Sequence, residues 1–192
     1  NLANKFTGTV TISDNTLSNN LTHGITITAA TDLVMELNSI TSSDGGVIGL
    51  DISGVTNSTT IGNPANDAKV NTIDGFATGI NLANSAALHD TIIKNASTVG
   101  LKINSATATV TIDDHTSNNT NALGIDINAH AATTITGSTF NLVDGQTAIQ
   151  IAADANDLNV STSKFVDNNN ATNTEVAIQN NDATNTVVAA SN

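Results

Sequence analysis

Asp113-Asp114-His115 is the densest run of side chains in this 192-residue chain that could do chemistry. Two carboxylates beside an imidazole can pass a proton or ligate a cation. The remaining histidines, His23, His89 and His130, are scattered and lack the close spacing of a zinc site. The run follows the apolar alternation Val110-Thr111-Ile112, where a strand gives way to a turn whose amides Asp and His can cap. Asp113, Asp114 and His115 are therefore expected at a solvated corner. A second set is more regular. Thr26, Asp51, Asn81, Lys102, Asp126 and Gln150 each stand between two aliphatic residues. Its charged members are Asp51, Lys102 and Asp126, which can act together only if folding brings them to one place.

That proviso turns on the elements. A small residue followed by aliphatic–any–aliphatic recurs as Gly24-Ile25-Thr26-Ile27, Gly49-Leu50-Asp51-Ile52, Gly79-Ile80-Asn81-Leu82, Gly100-Leu101-Lys102-Ile103, Gly124-Ile125-Asp126-Ile127 and Ala148-Ile149-Gln150-Ile151. A degraded copy lies near Val176-Ala177-Ile178. The five glycines are spaced 25, 30, 21 and 24 residues apart. Between copies come two more apolar alternations. One includes Val10-Thr11-Ile12, Val110-Thr111-Ile112 and Leu158-Asn159-Val160; the other Leu17, Ile40, Ile73, Ile93, Phe140 and Phe165. Segments this short, of period two and bounded by Asn, Asp, Ser and Gly, are strands.

Three short strands per ~24 residues leave no room for a crossover helix, and propeller blades need ~40 residues or more. The pattern predicts an all-β fold: a right-handed parallel β-helix of about seven or eight coils, with residues 1–192 as a single solenoid domain. The aliphatics of each unit then point inward and stack on those ~4.8 Å away in the next coil. The middle residues form an outward stripe of Thr26, Asp51, Asn81, Lys102, Asp126 and Gln150. Asp51 and Asp126 fall three coils, ~14 Å, apart, too far for a glycosidase pair at ~5–9.5 Å. Lys102 and Asp126 are expected as an exposed ion pair on adjacent coils. Asn19-Asn20, Asn118-Asn119 and Asn168-Asn169-Asn170 are expected at corners, and Asn104 is expected to stack with Asn128 in a side-chain ladder. Phe140 and Phe165 should stack in the core, while Phe76, between Gly75 and Gly79, is placed at an exposed corner.

The run from Val10 through Asn20, followed by Gly24-Ile25-Thr26-Ile27, resembles the parallel β-helix repeat. That repeat is seen in pectin-active enzymes, phage tailspikes and the secreted passengers of bacterial surface adhesins. The enzymes, as the resemblance implies, use a Lys or Arg base with Ca²⁺, or several Asp on neighbouring coils. Asp113-Asp114 resembles the paired Asp of the pectin hydrolases, but the Gly-His-Gly and basic motifs that accompany it there are missing. The resemblance therefore leans to the passenger and stalk segments of autotransporter-like adhesins.

Composition narrows the partners. Five lysines face 17 acidic residues for a net charge of −12, with no Arg, Trp, Tyr or Cys. Phosphate neutralisation needs cations, so nucleic acid is excluded as a partner, and an anionic membrane surface equally so. No apolar run approaches the ~18 residues of a membrane span. Thr-any-Thr pairs, which can form ice-binding rows, occur at Thr9/Thr11, Thr26/Thr28, Thr107/Thr109/Thr111 and Thr134/Thr136. Leu33, Asp90 and Asn159 are expected to interrupt that row. No cofactor is expected; Ca²⁺ is the one ion that acidic corners could take. No capping segment is visible, so the chain reads as a segment of a longer repeat protein or as a subunit that self-associates end to end. The function expected is non-enzymatic and structural or adhesive, at the cell surface or outside the cell, with a glycan or protein of a host or neighbouring cell as partner. The alternatives are a polysaccharide lyase or hydrolase fragment and a self-assembling filament subunit.

Overall fold

A computed structural model describes residues 6–104, 109–118, 123–128, 132–143, 145–152, 158–167, 174–181 and 187–190. All the regular structure among them is β-strand, paired in parallel, and the chain winds through three faces in turn. Face 1 is an eight-stranded sheet of Phe6–Ser13, Ala30–Glu36, Val55–Ile61, Ala86–His89, Thr109–Asp113, Ala132–Thr136, Leu158–Ser161 and Val187–Ala190. Face 2 holds Thr16–Leu17, residues 39–41, residues 71–74, Thr91–Lys94, Thr116–Asn118, Thr139–Leu142 and Lys164–Asp167. Face 3 holds His23–Ile27, residues 48–52, residues 78–82, Val99–Ile103, Leu123–Ile127, Thr147–Ile151 and Val176–Asn180. Six successive pairings join the first strand of face 3 to the last, so six turns of a parallel β-helix separate them.

The core is a set of inward columns, one residue per turn. Ile25, Leu50, Ile80, Leu101, Ile125, Ile149 and Ile178 form one on face 3. Ile12, Met35, Ile61, Leu88, Ile112, Ile135 and Val160 form another on face 1. Between these ends the columns are buried, because each coil covers the apolar face of its neighbour. Phe140 and Phe165 stack as expected, with centroids 5.3 Å apart and rings inclined by 11°.

The small residue that opens each face 3 unit has a steric cause. A Cβ on Gly79 would stand 2.5 Å from the Gly100 carbonyl oxygen and 2.6 Å from Ile93 Cγ2. The face 2 aliphatics fill the space that a side chain would need. The corner from face 1 to face 2 has a different requirement. Asp14, Leu37, Gly62, Asp90, Asp114, Gly137 and Thr162, one per turn, all have positive φ. Asn19 and Asn95 do the same at a second corner, at φ 58° and 51°, whereas Asn118 does not. Asn119 and Asn168–Asn170 lie outside the described residues.

Two expectations fail here. Strands are not uniformly short: Ser39–Ile52 and Asn71–Leu82 run unbroken from face 2 into face 3. Glycines inside them, Gly45 at φ 73° and Gly75 at φ 80°, take the bend without ending the pairing. Phe76 is buried rather than exposed, at 1% of its surface. It pairs in register with Gly46, where a Cβ would stand 2.7 Å from the ring, so the space left by that glycine is the pocket for the phenyl group. The long spacing from Gly49 to Gly79 comes from an excursion, Gly62–Val70, between faces 1 and 2. It is pinned by the Lys69–Glu36 ion pair and by Asn63 Nδ2, which donates to Glu36 Oε1 at 2.9 Å.

Candidate functional site

The outward stripe of face 3 is continuous. Thr26, Asp51, Asn81, Lys102, Asp126 and Gln150 pair in register, one on each turn, and Gln179 extends the row. Asp51 and Asp126 stand three turns apart, as expected, so parallel stacking itself keeps these carboxylates from converging. Amide side chains tie part of the row together. Asn81 Nδ2 donates to Asp51 Oδ1 at 2.9 Å, and Asn104 Nδ2 donates to Asn81 Oδ1 at 2.7 Å. The Asn104–Asn128 ladder does not form; Asn128 Nδ2 donates instead to Asp126 Oδ2 at 2.6 Å.

Asp126 departs from expectation. It faces outward yet is only 6% exposed, and its Oδ1 has no hydrogen-bond partner among the described residues. Burial pushes its carboxyl above the ordinary range, against the opposing pull of Lys102 and of the Asn128 bond. The expected Lys102–Asp126 contact is absent from the ion pairs within 4.0 Å among the described residues. Lys102 acts on Asp126 through its field rather than by contact.

Asp113, Asp114 and His115 are split among three environments. Asp113 points outward from face 1; its Oδ1 accepts from Thr136 Oγ1 at 2.7 Å, and its Oδ2 lies 3.9 Å from His89 Nδ1. Asp114 occupies the positive-φ corner, exposed, and rests over Gly137, where a Cβ would stand 2.3 Å from Oδ1. Desolvation is the first cause that raises the Asp90 and Asp114 carboxyls, and the neighbouring charges of Asp67 and Asp113 add to it. His115 is not solvated at all. It is 1% exposed, neither ring nitrogen has a hydrogen bond of normal geometry, and the ring meets Phe140 edge-on at 6.1 Å and 62°. Burial lowers its pKa to about 4, although the nearby Thr91 backbone offsets part of that. The solvated-corner expectation fails for His115 because the positive-φ residue shifts the alternation by one: after inward Ile112 the next inward residues are His115, three positions on, and then Ser117.

The same rule generates a feature that sequence reasoning missed. Asn15, Asn38, Asn71, Thr91, His115, Ser138 and Ser163 stack along the inside of this corner, and from Asn38 onward all are buried. Asn15 Nδ2 donates to Asn38 Oδ1 at 3.1 Å, and Asn38 Nδ2 donates to Asn71 Oδ1 at 3.0 Å. Further along, the His115 amide donates to Ser138 Oγ at 3.2 Å, and the Ser138 amide to Ser163 Oγ at 3.3 Å. The signal was present in the sequence: each member stands two residues before the inward residue of face 2, as in Asn38-Ser39-Ile40 and Ser163-Lys164-Phe165.

The other outward surface of note is on face 1. Thr11, Val34, Thr60, Ala87, Thr111, Thr134, Asn159 and Val188 form one row in register. Leu33 and Asp90 do not interrupt it, contrary to expectation: Leu33 points inward and Asp90 turns the corner. Asn159 does lie in the row, and Thr107 is outside the described residues. The row carries no charged residue. His23 is exposed on face 3, His89 is half-buried on face 1, and His130 lies outside the described residues. Among the described residues no three His, Cys, Asp or Glu side chains are grouped to hold a metal ion. No protein-family model matches the chain, and neither a curated protein nor a solved structure matches it.

Proposed function

We propose that this chain is a non-enzymatic, extracellular segment of a cell-surface rod, a stalk or passenger that holds out an adhesive surface. The observation that carries this reading is how its polar groups are arranged. Parallel register sets side chains in long rows, and the polar ones bond along the axis, as in the series Asp51, Asn81 and Asn104. Inside, the corner column of amides and hydroxyls does the same. Such rows stiffen a rod and repeat a surface along its length; they do not converge on one reacting atom. An acidic exterior free of cysteine suits passage through an oxidising compartment and solubility once outside.

The experiment couples the purified chain to beads and measures their adherence to bacterial and animal cells, alongside incubation with pectin, polygalacturonate and neutral glucans. Adherence with no new reducing ends or unsaturated products is the expected result. Catalytic turnover of any of these polymers would overturn the reading in favour of an enzyme.

A further inference from the structure

Midway along the uncharged row of face 1 the surface dips into a hollow of about 270 Å³. Its cause is local. The row carries Thr60 and Thr111 on the turns before and after, but Ala87 between them, so one rung lacks the hydroxyl and methyl of its neighbours. Beside Ala87, Ser85 continues the low floor, and Ser58 and Thr109 complete the walls. We propose that this hollow is a binding site for an uncharged glycan chain laid along the solenoid axis, with one pyranose ring seated over Ala87.

Size, polarity and charge each contribute. Thr60 and Thr111 stand two rungs apart, ~9.6 Å by strand spacing, which leaves room for one sugar ring between them. Their hydroxyls are bonded to no other described residue. Ser85 Oγ accepts from the Thr109 amide at 3.1 Å and keeps its own proton to donate. The Ala87 methyl offers an apolar floor to the C–H face of the ring. At the rim, Asp32 Oδ1 accepts from Asn57 Nδ2 at 2.7 Å and from Ser58 Oγ at 2.8 Å. Those bonds hold the Asp32 carboxyl below its ordinary range, so it stays charged and repels acidic sugars.

A protein partner fits less well. Three outward columns over eight strands form a strip roughly 34 by 13 Å, far longer than it is wide. A linear glycan suits a strip of that shape. With no aromatic platform in the hollow each contact is weak, and affinity accumulates over several rungs.

This inference rests on the adhesive reading and names its partner. The test titrates the full chain, labelled with ¹⁵N, with cellohexaose and mannohexaose, and with hexagalacturonate as the acidic comparison. At least one neutral hexasaccharide is expected to shift the amides of residues 58–60, 85–87 and 109–111, and hexagalacturonate to leave them in place. Ala87→Val fills the hollow with a residue that the same row already carries at Val34, so the fold should be kept while affinity falls about fivefold or more. Thr111→Val, on an exposed position, removes one hydroxyl and should weaken binding by a smaller factor. The proposal is overturned if neither neutral sugar shifts those amides, if hexagalacturonate binds as well, or if both variants bind within twofold of the parent. Bead adherence that neutral hexasaccharides do not inhibit would remove this site and leave the adhesive reading in place. Sugar binding without cell adherence would do the reverse.

Discussion

His115 makes the acid sensitivity of this solenoid predictable. Its imidazole is fully enclosed between Thr91 and Ser138 in the corner column and against Phe140, so the folded protein holds it neutral, with a pKa of about 4 against 6.5 in an open chain. A base whose pKa falls on folding contributes stability that is complete above pH 6.5. As pH drops from 6.5 to about 4 the unfolded chain binds a proton that the folded chain refuses, and stability declines. The full gap amounts to about 3 kcal/mol, a large share of the 5–15 kcal/mol typical of a domain. Carboxylates titrate over the same range and partly cancel. Asp32 and Glu36, lowered by their hydrogen-bond partners, lose stability as they protonate, while Asp90, Asp114 and Asp126, raised chiefly by desolvation, gain it. The clean measurement is therefore a difference. His115→Thr places in the column the residue that it already holds at Thr91; it removes the titrating group and the ring's contact with Phe140, a packing cost of about 1–3 kcal/mol that does not change with pH. Because solenoids open locally, amide hydrogen exchange at Ile112 and Ser117 is the sensitive probe, beside urea unfolding. From pH 7.5 to pH 4 the parent should lose about 3 kcal/mol relative to the variant. Profiles that stay parallel over that interval would refute a neutral, enclosed His115.

Other substitutions test the packing rules. Gly79→Ala forces a methyl against the Gly100 carbonyl and Ile93 and should destabilise by about 1–3 kcal/mol in urea titration, whereas alanine at Gly45, where open space but a positive φ awaits, should cost only about 1 kcal/mol. Asn38→Ala strips partners from Asn15, Asn71 and the Ile12 carbonyl, and a loss of about 2–4 kcal/mol should appear in the same assay. Asp126→Asn removes a charge that its covered position disfavours and keeps an acceptor for Asn128, so the variant should melt at a higher temperature than the parent at pH 7, with the difference shrinking as pH falls. Lys69→Met should speed exchange of the Asn66 and Lys69 amides in the Gly62–Val70 excursion, with little change in global unfolding, and high salt should mimic it in the parent.

What the sequence determined by itself is the winding. Glycine–aliphatic–any–aliphatic units recur on one surface because a Cβ at their first position would strike the carbonyl oxygen of the next turn, as it would at Gly24, Gly49, Gly79 and Gly124. The register of the face 3 stripe followed from it, down to the separation of Asp51 from Asp126. The environments of individual polar side chains were not legible to the same degree. Strand alternation says which residues point inward, yet His115 and Phe76 were misplaced because each adjoins a corner, where the backbone takes positive φ and the inward phase resumes one residue later. Asp126 was misjudged for a different reason: an outward direction does not guarantee contact with water. Only the stacked fold revealed the amide and hydroxyl column inside the corner, the hollow over Ala87 and the cover above Asp126. Each depends on which residues from different turns come to lie at one height. Local sequence sets the direction of a side chain, but burial and pairing are set by neighbours about 24 residues away, and those become neighbours only when the coils close on one another.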